Sequence, residues 1–289
     1  MRLALALVLA LLAASCHRPA PVNPHYVLGA PYQAGGVWYY PGEDYDLQET
    51  GLATAYSSDH PELTTDGEAF DQTALAVAHP TLQLPAIARL TNLENGLQLL
   101  VRINDRGPAT PHRMIEVTRR VATLLRFTND SAVRVRLEVL PAESHGAVDA
   151  VQGAPRLQIS TAPLEAVQQT ELTPSGGAAP VSARPTAVVP ERAAPQTAAP
   201  PLRLPETLLQ GTPDPGQLFV RLGTFQGYQY AAIQRARVAS LGADIVSRFE
   251  GRLQLFRVII GPLTSVEQAD KVLDQVIRAG VTDARIVVE

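Results

Sequence analysis

Two regions of this chain alternate hydrophobic and polar positions, and the stretch between them does not. Leu97, Leu99, Val101 and Ile103 alternate with Gln98, Arg102 and Asn104, with Leu100 the exception. Val133, Val135, Leu137 and Val139 alternate with Arg134, Arg136 and Glu138. A period of two marks strands with one buried face. Pro85 to Leu93 and Leu97 to Asn104 form a strand pair, because Glu94-Asn95-Gly96 between them is a hairpin signal. Leu52 to Tyr56 predicts a further short strand. Thr118 is placed to cap a helix over Arg119 to Arg126, with Val121, Leu124 and Leu125 on one face. Several short strands, one or two helices and many turns within residues 51–140 suggest a small β-barrel.

The second patterned region covers residues 216–289. Strands are predicted at Gln217 to Leu222, Asp244 to Phe249, Leu253 to Ile260 and Ala284 to Val288. Helices are predicted over Tyr228 to Leu241, stopping at Gly242, and over Val266 to Ala279, capped by Ser265 and stopping at Gly280. The order βαββαβ describes a compact α+β unit of one sheet and two helices. Alternation puts Arg221 on one face of its strand, and Leu255 with Arg257 on one face of theirs.

Residues 141–215 contain no Phe, Tyr or Trp and more than half of the chain's 24 prolines. Such a composition cannot bury enough apolar surface to offset ordering entropy, so it reads as a disordered linker. As coil it would reach about 50 Å. Residues 17–50 begin as a proline-rich tether and continue as an aromatic strip of Tyr26, Tyr32, Trp38, Tyr39, Tyr40 and Tyr45. Those rings are read as docked onto a domain, with stacking on sugar as the alternative.

Charge and cysteine content narrow the picture further. With 24 basic and 28 acidic residues the net charge is −4, which offers no electrostatic case for nucleic acid. One cysteine excludes an intramolecular disulfide and a cysteine-based metal cluster. That cysteine follows Met1-Arg2, an apolar run from Leu3 to Ala14, and Ser15, a secretory signal too short to span a bilayer. Ala13-Ala14-Ser15-Cys16 resembles the lipobox of bacterial lipoproteins. The resemblance makes residues 1–16 a signal peptide and Cys16 a lipidated anchor, and His17 after it favours the outer membrane.

Polar positions interrupt the apolar pattern at three places where chemistry could sit. Asp105 and Arg106 stand where a strand breaks into Gly107-Pro108; Pro108 cannot donate to a ladder and Gly107 permits unusual backbone angles. Glu68 follows a turn at Asp66-Gly67, and His79 ends the run Ala76-Val77-Ala78 before Pro80. Each also fits a purely structural role. Asp59, His60 and His112 match no metal-ligand spacing, so no metal site is assigned.

The order of these motifs carries a resemblance. Gly51-Leu-Ala-Thr-Ala-Tyr56, Thr64-Thr-Asp-Gly-Glu68, Ala76-Val-Ala-His79, Arg89-Leu-Thr-Asn-Leu93, Val101-Arg-Ile-Asn-Asp-Arg-Gly-Pro108 and Arg113-Met-Ile-Glu-Val117 together resemble the rare lipoprotein A family of septal lytic transglycosylases. Phe219-Val-Arg-Leu-Gly-Thr-Phe225 and Arg257-Val-Ile-Ile-Gly-Pro262 resemble the sporulation-related repeat (SPOR) domain. The resemblance implies a six-stranded double-psi β-barrel, a disordered linker and a SPOR domain that binds glycan strands stripped of stem peptides. It implies non-hydrolytic cleavage between N-acetylmuramic acid and N-acetylglucosamine, leaving 1,6-anhydro ends, with no metal or organic cofactor. Amidases would supply the stripped strands at the division septum.

By the same resemblance Asp105 is the first-choice acid and base, Glu68 the second, and His79 an orienter or proton partner. Tyr56, Thr65 and Arg106 are implied substrate contacts in the barrel, and Arg221, Leu255 and Arg257 in the SPOR domain. Three departures stand out. Thr54-Ala55-Tyr56-Ser57 replaces the family's Ser-Trp-Tyr-Gly, Asp66 replaces an Asn, and Glu116 replaces an Asp. A non-catalytic glycan-binding scaffold is the rival reading. An inverting glycosidase would need two carboxyls roughly 6.5–9.5 Å apart around a water.

Overall fold

The computed structural model describes residues 21–57, 59–128, 132–155 and 203–289. Cys16 with its apolar leader, and most of the proline-rich stretch, lie outside them. Among the described residues no helix is long and apolar enough to cross a membrane.

The aromatic strip opens with a hairpin of β1 (Tyr32–Ala34) and β2 (Val37–Tyr39). The barrel follows as β3 (Gln48–Ala55), β4 (Ala76–Ala78), β5 (Ala86–Asn92), β6 (Leu97–Asp105) and β7 (Ile115–Val117). A short helix α1 (Arg119–Leu124) and the strand β8 (Val133–Val139) complete it. The strands run β4-β7-β3-β8-β5-β6 around the ring, and β4 pairs with β6 to close it. The β3–β7 and β4–β6 pairs are parallel and the other four antiparallel. This is the closed six-stranded mixed barrel that the resemblance implies. Ala53, Val77, Leu90, Leu99, Val101, Ile103, Val135 and Leu137 fill it. Thr118 caps α1, its hydroxyl accepting from Val121 N at 3.4 Å. Val121 of α1 and Leu125 just beyond it pack into the same core.

Both ends of the stretch read as linker turn out to be built onto the barrel. Pro141 opens α2 (Pro141–Asp149). Ser144 of that helix accepts from Ile87 N and donates to Ile87 O, each at 3.0 Å, so α2 is pinned along β5. At the other end β9 (Leu209–Gln210) pairs with Leu97 and Gln98 of β6. The physical reason is that β4 covers only the last residues of β6 on that side, from Arg102 to Asp105. The free beginning of β6 accepts another strand.

The C-terminal unit is β10 (Leu218–Phe225), α3 (Tyr228–Arg237), β11 (Asp244–Glu250), β12 (Leu253–Leu263), α4 (Val266–Arg278) and β13 (Arg285–Val288). Its antiparallel sheet runs β11-β12-β10-β13. Leu218, Val220, Leu222, Val258 and Ile260 share a core with Ala231 of α3 and with Ala269, Leu273 and Val276 of α4. The predicted βαββαβ order and helix starts hold. The first helix is shorter than expected and ends at Arg237, followed by a 3-10 turn at Ala239–Leu241.

This unit sits on the outer wall of β3. Leu52 points out of the barrel and joins the C-terminal core, where it is fully buried. Thr50 donates its hydroxyl to Val288 O at 2.7 Å. Arg113 grips Asp270 of α4 with two nitrogens, at 2.7 and 3.1 Å, and Arg285 of β13 meets Glu49 of β3 at 2.6 Å.

Candidate active site

The site begins with β6. Its inward residues end at Ile103, and a register shift lies at Asn104: Val77 faces Ile103, but Ala78 faces Asp105. A bulge of that kind re-aims the residue after it, and here that residue is Asp105 at the rim of the barrel. Gly107 has no positive φ. A Cβ on it would lie 2.9 Å from the Ala78 Cβ, so close approach, and not an unusual backbone angle, is what demands glycine there.

Asp105 is 4% exposed and held from both sides. Its Oδ1 accepts from Thr65 N at 2.9 Å, Thr65 Oγ1 at 2.6 Å and Arg106 N at 2.8 Å. Its Oδ2 lies 2.6 Å from His60 Nε2 and 3.5 Å from the Tyr56 hydroxyl. His60 Nδ1 is 2.8 Å from Pro61 O, a carbonyl that can only accept, so Nδ1 carries a hydrogen. At 2.6 Å, Nε2 and Oδ2 are within hydrogen-bond reach, so a proton has a direct path between imidazole and carboxyl. The His60 ring stacks on Phe70 at 3.7 Å and meets Tyr56 edge-on at 4.9 Å, which fixes its plane. Burial, with the charge of Asp105 next, pushes the Tyr56 phenol well above its ordinary range.

Sequence reasoning passed over His60, considering it only as a metal ligand. Its partner is 45 residues away in sequence, and no spacing rule links them. Among the described residues no group of three His, Cys, Asp or Glu is arranged to hold a metal.

The turn that binds Asp105 also carries Glu68. Gly67 takes φ +82°, and a Cβ there would meet Asn23 O at 2.4 Å. Arg102 and Asn104, on the outward side of β6, are roofed by this turn and grip Glu68. Oε1 accepts from Arg102 Nε at 2.8 Å and lies 2.6 Å from Nη2, and Oε2 accepts from Asn104 Nδ2 at 2.8 Å. Asp66, fully buried, accepts from Thr64 Oγ1 and Glu68 N through Oδ1, while Oδ2 has no hydrogen-bond partner. Burial, and then the nearby Glu68 charge, push the Asp66 carboxyl up to about 7. A cavity of about 490 Å³ opens beside Glu68, with Tyr56, Phe70, Arg102 and Asn104 also in its wall.

His79 does not join this group through its ring. Its backbone N–H donates to Asp105 O at 3.0 Å, but the imidazole is 1% exposed and faces the other way. Nδ1 accepts from the N–H groups of Thr81 and Leu82, which leaves the ring hydrogen on Nε2, 3.8 Å from Glu49 Oε2. Burial pushes the Glu49 carboxyl up, but His79, Arg285 and Arg221 outweigh it and hold it at about 2.

Arg106 is not presented to a substrate in the way its strand-end position suggested. Its guanidinium turns inward to the carbonyls of Leu82, Leu28 and His79. Three backbone oxygens converge on the guanidinium, whose five N–H donors need acceptors when it is turned inward. Glu116 likewise closes the loop after Pro108, accepting from Ala109 N and from Thr110 N and Oγ1.

In the C-terminal sheet Arg221 and Arg257 share the face away from the helices with Leu255. Leu255 is only 9% exposed, which leaves little of it for a ligand. Arg257 meets Glu250 and Glu289, each at 3.0 Å. Arg221 pairs in register with Arg285, and burial, with Arg285 next, lowers its pKa to about 10.

The family model described as "Lytic transglycolase" matches residues 48–137, and the SPOR domain model matches residues 214–286. Among curated proteins the chain is similar to the endolytic peptidoglycan transglycosylase RlpA of Yersinia pestis, 39% identical over 120 residues, covering 41% of this chain and 33% of that protein. It is similar to the protein of the same name from Rickettsia felis, 35% identical over 124 residues, 42% of this chain and 54% of that protein. The one from Pseudomonas aeruginosa PAO1 is 29% identical over 276 residues, 89% of this chain and 76% of the relative. The chain thus spans a third to about half of the length of the first two.

Proposed function

We propose that this RlpA-like chain, a lytic-transglycolase barrel joined to a SPOR domain, is a peptidoglycan lytic transglycosylase. The observation that carries the reading is the 2.6 Å contact between Asp105 Oδ2 and His60 Nε2 at the rim of the barrel. Cleavage without water needs a group that protonates the leaving glycosidic oxygen and then takes the proton of the attacking C6 hydroxyl. Asp105 fills that role, His60 serves as its proton partner, and Thr65 and the Arg106 N–H fix its other oxygen. Glu68 is already gripped by Arg102 and Asn104, so it acts as a fixed negative charge opposite the sugar ring as positive charge develops there. Tyr56 contacts both site and cavity and orients the substrate. His79 acts from behind, holding the rim through its backbone and Glu49 through its ring.

In this reading the substrate is a glycan strand stripped of stem peptides, the bond lies between N-acetylmuramic acid and N-acetylglucosamine, and amidases act upstream. The SPOR domain enriches the protein at the division septum through Arg221 and Arg257. Lipidation at Cys16 tethers it to the periplasmic face of the outer membrane.

Asp105→Asn keeps the shape of the side chain and removes its transferable proton. Release of anhydro-ended fragments from peptide-free strands, identified by mass, should fall about 10²–10⁴-fold while glycan binding persists. Undiminished release moves the acid–base role to Glu68. A wild-type protein that binds strands and releases nothing is the scaffold.

A further inference from the structure

The hairpin β1–β2 has two unlike sides. On one, Tyr32 and Tyr39 stack at 5.3 Å and the Tyr32 hydroxyl donates to Pro80 O at 3.0 Å, which fastens the hairpin to the barrel. On the other, Trp38 and Tyr40 stack at 6.5 Å and remain 45% and 64% exposed. The aromatic strip is therefore half docked and half open. The open rings border a second cavity of about 330 Å³, distinct from the one beside Glu68. Its other walls come from the barrel, through Glu49, Thr50 and His112, and from the C-terminal unit, through Arg285 and Ile286.

We infer that this cavity is a saccharide subsite for a neutral N-acetylhexosamine ring of the glycan strand, formed jointly by the hairpin, the barrel and the C-terminal unit. Its volume lies at the small end of ligand pockets. The platform of Trp38 and Tyr40 offers aromatic faces to the apolar face of a sugar, and the opposite wall offers both donors and acceptors to hydroxyl and amide groups. The charged side chains that line the cavity are two of each sign, Arg113 and Arg285 against Glu49 and Asp283, with Arg285 meeting Glu49 at 2.6 Å. A wall with no surplus of either sign suits an uncharged polar ring better than the carboxylates of a stem peptide. Glu49 belongs to this wall and also faces His79, whose backbone N–H meets Asp105 O.

The inference takes its ligand class from the glycan reading above, but its test is independent of cleavage. Trp38 is the chain's single tryptophan, so its emission reports this cavity without ambiguity. Titration of the full chain with the β-1,4 tetramer of N-acetylglucosamine, which cannot form an anhydro-muramyl end, should shift Trp38 emission saturably. Tyr40→Ala should weaken that binding about 2- to 10-fold, and Tyr40→Phe should restore it. Tyr40 is mostly exposed, so an unchanged melting temperature accompanies these effects. Emission that does not move at millimolar tetramer, equal affinity of Tyr40→Ala and wild type, or a response to free stem peptide in place of the tetramer each overturns the subsite. A saturable response from a protein that cleaves nothing overturns the transglycosylase reading and leaves the subsite standing.

Discussion

Arg102 in the barrel and Arg257 in the C-terminal sheet each hold two carboxylates, in opposite surroundings. Arg102 meets Glu68 at 2.6 Å and lies 4.0 Å from Asp66, and the three side chains are 7%, 6% and 0% exposed. Arg257 meets Glu250 and Glu289 at 3.0 Å, but Glu250 is more than half exposed. Water competes far more for the second cluster than for the first. The barrel uses its arginine to fix a charge in place, whereas the C-terminal sheet keeps one whose partners a ligand can exchange.

The sharpest break in this comparison is Arg102→Ala. It leaves Glu68 and Asp66 buried together without a cation, and loss of one partner from a buried pair costs about 3–5 kcal/mol. For a chain this size that lowers the melting temperature by about 10 °C. A calorimetric scan checks it, and a shift of only a degree or two would mean that water reaches the cluster after all.

Next in size is His60→Gln, which keeps a donor toward Asp105 and loses the titratable ring. Fragment release should fall by about 10²-fold, and one limb of its pH profile should disappear. The melting temperature should change little. A rate loss with an unaltered pH profile would reduce His60 to a positioning role.

These residues also mark where the sequence could be read. The C-terminal unit was legible because its sheet has one covered face, so alternation and helix caps such as Ser265 appear in the chain itself. The barrel strands β6 and β8 were legible for the same reason, and β5 through the Glu94-Asn95-Gly96 turn that joins it to β6. β4 and β7 were not, since both are three residues long and buried throughout, leaving no alternation to detect. Neither α2 nor β9 stood out, because each is held by partners distant in sequence, Ile87 and the free start of β6. Within the site, Asp105 and Glu68 were found from turn chemistry and family likeness. The inward guanidinium of Arg106 and the His60 contact depend on how the loops close, which no local pattern records.

A smaller effect sharpens the contrast through pH. The Asp66 carboxyl is raised to about 7 from its ordinary 3.8, so the folded state binds that proton more tightly than the unfolded chain does. Its contribution is present below the ordinary value and is lost as pH rises through about 7. Asp66→Asn should therefore flatten the fall in stability between pH 4 and 7, gaining relative to wild type at the upper end. Glu49 has the opposite sign. Its carboxyl is held at about 2, so its contribution is present above 4.5 and lost as pH falls toward 2. Denaturant midpoints measured across both windows check the two slopes, and parallel curves for Asp66→Asn and wild type would contradict the buried-acid account.

The smallest expected change in stability belongs to Arg257→Ala. Its partners keep access to water, so the loss should stay within about 1 kcal/mol. Removing it also relieves Arg221, whose lowered pKa reflects burial first and then the neighbouring cations Arg285 and Arg257. Yet this is the face on which the C-terminal unit is proposed to meet glycan, and a guanidinium that trades Glu250 for sugar hydroxyls would be missed there. Retention of Arg257→Ala on sacculi enriched in peptide-free strands should drop although the melting temperature holds. If the variant is retained as well as wild type, the arginine serves only its two carboxylates, and glycan contact in the C-terminal unit must be sought at the cavity beside Trp38 and Arg285.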